Sequence, residues 1–222
     1  MRPFPAIYAI VWLIALMGFV TMAAFAAAHD TFPADVWLTH RLQDIDGGVI
    51  VHLLDRTAGF AGWPLIALVA LLAGLVFLAF AGPGPALLVI MSVPLARPFN
   101  IATKEIVERP RPSAGLVRVH DQPTDFSFPS GHAEAAIVLF GVIFYLATVH
   151  LRDVRLRLPL QLVSLWVIVF TCIQRVYSGA HWPSDVAGGL YLGGLALAVL
   201  IAAHRLYLTW REAGTGSAAV RS

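Results

Sequence analysis

Apolar residues gather in six stretches of this chain, and nearly all the polar residues lie between or at the ends of those stretches. A helix needs about 20 mostly apolar residues to cross a bilayer core, and 6–28, 63–81, 85–103, 129–149, 158–177 and 183–203 meet or approach that length. The pattern predicts an all-α fold, a six-transmembrane-helix bundle, with 1–222 as one integral membrane domain. No internal repeat or low-complexity segment stands out. The first stretch is preceded by Arg2 and ends in Ala26, Ala27 and Ala28, which resembles a cleavage site. Its 23 apolar residues exceed the roughly 7–15 of a signal-peptide core, so it reads as a membrane anchor.

The segment 29–62 breaks this pattern. Trp37, Leu38, Leu42 and Ile45 recur at helical spacing, with Asp35, His40, Arg41 and Asp44 between them. Gly47 and Gly48 interrupt the periodicity, which Val49 to Leu54 resume. Two short helices lying in the outer membrane interface are predicted.

Charge then orients the bundle. Arg152, Arg155 and Arg157 oppose Asp153 alone between the fourth and fifth stretches, and Arg2, Arg205, Arg211 and Arg221 flank the termini. All fall on one side, which the positive-inside rule makes cytoplasmic, so both termini are inside. The tight turn Gly82-Pro83-Gly84 lies on that side too. The opposite side carries 29–62, with five aspartates against two arginines, together with the loops 104–128 and 178–182. Trp37, Trp63 and Trp182 are placed as anchors at the outer interface, Tyr207 and Trp210 at the inner one.

Composition supports a membrane protein: 59% of residues are hydrophobic and 13% charged, where a soluble domain carries about 25% charge. A formal charge of +2 does not indicate a nucleic-acid partner, because the arginines are scattered between apolar runs and form no basic stripe. Cys172 is the single cysteine and lies in an apolar stretch, so neither a disulfide within the chain nor a cysteine metal site is available. No carboxylate cluster has metal-ligand spacing, and no cofactor is implied. Lys104 stands alone against fourteen arginines. That bias points to a GC-rich bacterial genome, and hence to an inner (plasma) membrane with the outer loops on the periplasmic side.

Three polar clusters fall on the outer side at the ends of stretches three to six. These are Lys104, Arg109 and Arg111; Pro129 to His132; and Arg175, His181 and Asp185. Ionisable residues beside spans are costly and mark function. Lys104, Arg111 and Arg175 would converge as three cations suited to phosphate, the guanidinium groups binding it bidentately. Pro129 suits the first turn of a helix, which would leave the Ser130 and Gly131 amides at an anion-binding N-terminus. His181 and Asp185 are four residues apart. An aspartate on one imidazole nitrogen fixes the tautomer and frees the other nitrogen to attack. His132, on a different span, can act as general acid from the leaving-group side.

Together these residues resemble the three-part signature of the type 2 phosphatidic acid phosphatase family, within the acid phosphatase and vanadium haloperoxidase superfamily. Lys104, then six residues, then Arg111-Pro112 match the first part, and Pro129-Ser130-Gly131-His132 match the second. Arg175, His181 and Asp185 match the third, with Gln174 where the pattern has serine. The motifs span 104–185. The resemblance implies a membrane lipid phosphatase that uses a phosphohistidine intermediate and no metal. His181 would be nucleophile, Asp185 its orienting partner and His132 the proton donor. Lys104, Arg111, Ser130, Gly131 and Arg175 would hold the phosphoryl oxygens.

Substrates left open are phosphatidate, phosphatidylglycerol phosphate, polyprenyl diphosphate and a lipid A phosphate. A phosphotransferase would use the same site with an acceptor other than water. A transporter would distribute polar residues along the depth of several spans, whereas here they collect at one end. Outside the signature, Arg97 and Glu134 are expected to pair with each other, and His120, Asp121 and Asp125 to be solvated loop residues.

Overall fold

The computed structural model describes the backbone of residues 6–45 and 47–219 and the side chains of 10–45 and 47–211. Arg2 and Arg221 lie outside the described residues. Within them the chain is all-helical, with no strand: α1 (Ala6–Ala28), α2 (Pro33–Gln43), α3 (Gly48–Gly59), α4 (Leu65–Ala81), α5 (Pro83–Val107), α6 (Gly131–His150), α7 (Val154–Tyr177) and α8 (Pro183–Ala219). Five of these, α1, α5, α6, α7 and α8, are long and apolar enough to cross a membrane; α4 is apolar but has only 17 residues.

Several boundaries move relative to the apolar runs, because polar turns carry no hydropathy signal. α5 continues to Val107, so Lys104 belongs to its last turn and not to the loop. α6 begins at Gly131 with Ser130 as its N-cap, which leaves Pro129 ahead of the helix and not in its first turn. α7 starts at Val154 because Asp153 caps it, accepting from the Arg155 amide at 2.9 Å. Arg155 and Arg157 therefore sit on the helix and not in a loop. Only Gly82 separates α4 from α5, at a φ of 92° that favours glycine, its amide donating to the Phe77 carbonyl.

The core sits on α6. Ala136, Val138, Leu139, Val142 and Leu146 are wholly buried there, and α5, α7 and α8 pack around it. The outward faces are apolar too: Leu13, Ile14, Met17 and Val20 of α1 are exposed, as are Leu72 and Val76 of α4. Such an exterior suits lipid as the surrounding solvent. Small residues bring α8 against the start of α6. A Cβ at Gly189 would collide with the Ser130 carbonyl, and one at Gly193 with the Ile137 side chain.

The 29–62 segment does form two short helices with a break between them, and α2 turns its polar stripe, not its apolar one, toward the protein. Asp35, Thr39 and Gln43 are the buried residues, while Trp37 and Leu38 are exposed. The polar stripe finds its partners inside the protein. Gln43 donates to the carbonyls of Arg118 (2.6 Å) and Tyr177 (2.9 Å), and accepts from the Arg118 amide at 3.0 Å. His40 Nε2 lies 2.8 Å from the Leu116 carbonyl. Beside a membrane the apolar face need not turn inward, since an unpaired polar group is the costlier one to leave in lipid. Trp182 also departs from its expected anchoring place, being only 2% exposed. Trp37, Trp63 and Trp210 remain exposed.

Candidate active site

Three segments meet at one end of the bundle: the end of α5 with the loop after it, the start of α6, and the α7–α8 junction. The α7–α8 turn can lie against the 108–130 loop because Gly179 has a φ of 70° and no Cβ, which would otherwise strike the Arg118 carbonyl. The His120 amide closes the contact by donating to the Ser178 carbonyl at 2.8 Å.

His181 is 2% exposed. Its Nδ1 faces Asp185 Oδ2 at 3.8 Å and Ser127 Oγ at 3.5 Å, while its Nε2 lies 3.2 Å from Arg111 Nη1. Guanidinium nitrogen only donates, so Nε2 is the unprotonated nitrogen and the proton resides on Nδ1, toward the carboxylate. Burial, partly opposed by Asp185 and reinforced by Arg111, pushes this imidazole down to about 4. At neutral pH it carries a lone pair on Nε2.

Asp185 is fully buried and held on every side. Arg109 Nη1 donates to Oδ1 at 2.5 Å, Ser127 Oγ to Oδ2 at 2.5 Å and the Trp182 amide to Oδ2 at 2.8 Å. Arg109, only 1% exposed, also binds Asp35 Oδ2 of α2 at 2.9 Å. Asp35 in turn accepts from the Ser184 amide (2.9 Å) and hydroxyl (2.6 Å). The chain Asp35–Arg109–Asp185 fixes the carboxylate that orients His181. Sequence reasoning placed Arg109 in the first cluster without a role and named Asp35 only among the polar residues of an interfacial helix. The available signal was the polar stripe Asp35, Thr39, Gln43 at i, i+4, i+8. Ser127 gave no signal at all.

A cavity of about 150 Å³ is lined by His181 together with Lys104, Arg111, Gly131 and His132. Lys104 reaches the Phe126 carbonyl and Asp125 Oδ2, the latter at 3.0 Å; Arg111 binds Asp125 Oδ1 at 2.6 Å. Asp125 is thus no solvated bystander but a carboxylate bridging both cations. Burial acts to raise its pKa, yet Lys104 and Arg111 outweigh that and hold it down at about 2.

Arg175, Ser130 and Asp185 lie outside the cavity wall. Arg175 binds Asp121 at 3.1 Å and the Gln174 side-chain carbonyl at 2.6 Å. Gln174, the departure from the signature, links that arginine to Asp55 of α3 at 2.9 Å. The Ser130 amide donates to the Asp185 carbonyl at 3.0 Å and its hydroxyl caps α6, so neither faces the cavity. The expected Arg97–Glu134 pair does not form either: Arg97 lies 5.4 Å over the Trp63 ring, and no ion pair reaches Glu134 among the described residues.

The described residues thus form an apolar helical bundle that carries two histidines, a buried aspartate and a cation-lined cavity at one end. The PAP2 superfamily profile matches residues 85–209, and the chain belongs to that superfamily. Phosphatidylglycerophosphatase B of Bacillus subtilis is 36% identical over 131 residues, covering 59% of this chain and 61% of that protein. Decaprenylphosphoryl-5-phosphoribose phosphatase of Mycobacterium tuberculosis is 34% identical over 110 residues, 48% of this chain and 54% of that protein. The chain thus spans less than two thirds of the length of either relative. In three dimensions it resembles a transmembrane PAP2-type phosphatidylglycerolphosphate phosphatase of Bacillus subtilis. The TM-score is 0.75 at 23% identity, with 86% of this chain and 94% of that one covered.

Proposed function

We propose that the whole chain, 1–222, is a single-domain integral membrane phosphatase that hydrolyses a lipid phosphomonoester or diphosphate through a phosphohistidine. The observation that carries this is the orientation of His181. Its Nδ1 faces a buried carboxylate, its Nε2 faces Arg111, and it lines one cavity with Arg111 and Lys104. Membership of a superfamily with lipid phosphatases among its relatives supports lipid as the substrate.

In the first step His181 Nε2 attacks phosphorus, the P–O bond to the lipid breaks, and His132 gives its proton to the departing oxygen. In the second, water attacks the phosphoryl group, His132 takes a proton from it, the N–P bond breaks and inorganic phosphate leaves. Lys104 and Arg111 meet the charge that builds on the phosphoryl oxygens, exchanging Asp125 for phosphate as substrate binds. Gly131 lines the same cavity, and Arg175 completes this shell once Asp121 yields the guanidinium. The reaction is proposed to need no divalent metal. The membrane layout proposed is six spans, with α4 crossing as a short helix, both termini inside and the site on the outer face.

The test is trapping of the intermediate from radiolabelled lipid phosphate in EDTA. Wild type should yield a base-stable, acid-labile protein label, as a phosphoramidate does, and His181→Ala none. Label persisting in His181→Ala would move the nucleophile elsewhere. Loss of all turnover in EDTA, restored by magnesium, would overturn the metal-free mechanism.

A further inference from the structure

The cavity at His181 does not end at Lys104. Its lining continues down α5 to Asn100 and Arg97 and across to Glu134 of α6, three residues that the phosphohistidine chemistry leaves without a role. Arg97 lies seven residues before Lys104, about 10 Å along the helix. Its guanidinium is stacked over Trp63 and makes no hydrogen bond or ion pair among the described residues. Glu134 is 3% exposed, yet its Oε1 has no hydrogen-bond partner. Asn100 lies between Glu134 and Gly131: it hydrogen-bonds the Glu134 carboxyl, and its amide makes a 3.5 Å contact to the Pro129 carbonyl. Buried polar atoms are almost always paired, so an unpartnered carboxyl oxygen in a cavity wall marks a place for a ligand's donor.

We propose that Arg97, Glu134 and Asn100 form a second headgroup subsite, deeper in the membrane than the phosphoryl site. Arg97 would take a phosphodiester, for which a guanidinium is the matching fork, and Glu134 with Asn100 would take a hydroxyl. The substrate class that fits has a terminal phosphomonoester on a hydroxylated spacer, which a diester phosphate joins to the hydrophobic chain. The order of groups along that headgroup is the order of residues along α5: phosphomonoester at Lys104, hydroxyl at Asn100, diester at Arg97, apolar chain beyond. A lipid diphosphate fits poorly, since its two phosphates are one bridging oxygen apart and the second would fall beside the Glu134 carboxyl. The inference rests on the lipid phosphatase reading and specifies its substrate.

The experiment measures phosphate release by the purified full-length protein in lipid micelles from three substrates: dioleoyl phosphatidylglycerol phosphate, dioleoyl phosphatidate and a polyprenyl diphosphate. Wild type should show its highest kcat/KM on the first. Arg97→Gln should lower that preference over phosphatidate by about tenfold or more, as loss of a hydrogen bond to a charged group does, acting through KM and not kcat. Arg97→Lys should fall between, and Glu134→Gln should erode the preference in the same direction. Equal losses on all three substrates would show Arg97 and Glu134 to be structural and overturn the subsite, as would an unchanged preference in both Arg97 variants. A wild type active on phosphatidate or the diphosphate but not favouring the first substrate overturns the subsite alone. A wild type inactive on the whole panel overturns the lipid phosphatase reading beneath it.

Discussion

For His132 the leaving group decides how much its proton matters. It lines the cavity with His181 but touches neither Asp185 nor the Asp35–Arg109 chain, so removing it leaves the nucleophile's supports intact. General acids contribute roughly 10²–10⁴-fold, and that contribution falls as the leaving oxygen becomes less basic. His132→Ala should therefore be nearly inactive on an alkyl phosphate and recover substantially on a nitrophenyl phosphate, with a diphosphate between, in steady-state assays of kcat. Equal losses across leaving groups would make His132 a phosphate ligand and not a proton donor. Both histidines are proposed from the joint occurrence of the three clusters, since His-x-x-x-Asp and Ser-Gly-His are each local and weak alone. The residues that hold them were not legible from spacing. Ser127, Arg109 and Asp35 come from three separate segments, and only folding brings them to Asp185.

At the scale of elements, α2 is the piece whose part in the site the sequence hid. It delivers a buried carboxylate to Arg109, and Arg109 would otherwise have Asp185 as its one anionic partner. Breaking a buried ion pair from one side leaves an uncompensated charge. Asp35→Ala should destabilise the protein by about 3 kcal/mol, read as a lower unfolding temperature in detergent, while Asp35→Asn, still an acceptor, should lose less. A stability equal to wild type in Asp35→Ala would mean that α2 merely rests on the bundle. The existence of α2 and its break at Gly47 were readable from the pattern. Its orientation was not, because hydrophobic periodicity gives the apolar face and says nothing about whether that face meets protein or lipid.

The whole molecule is polarised. Lys104, Arg111, Arg175, His181 and Asp185 collect at one end, while Arg155, Arg157, Arg205 and Arg211 lie toward the other, past the apolar lengths of α6, α7 and α8. Under the proposed layout, which follows the positive-inside rule, the second end is the cytoplasmic one. In a variant with Cys172 replaced, a single cysteine at Ser113 should react with a membrane-impermeant thiol reagent on intact cells, and one at Arg155 should not. The reverse pattern would invert the topology and leave the chemistry in place.

The sequence by itself determined the helical membrane class, the apolar runs and the three clusters that a local spacing rule can detect. Each depends on residues near one another in the chain, through the 1.5 Å rise of a helix or the solvation cost of a charge. Tertiary structure decided which polar residues share an environment. It placed Asp125 across Lys104 and Arg111, held Asp185 with Arg109 and Asp35, engaged the Ser130 amide with the Asp185 carbonyl, and left Glu134 Oε1 without a partner beside Asn100. Those outcomes depend on long-range packing, above all the close approach of α8 to α6 at Gly189 and Gly193. That approach is a property of two surfaces meeting, and neither helix encodes it alone.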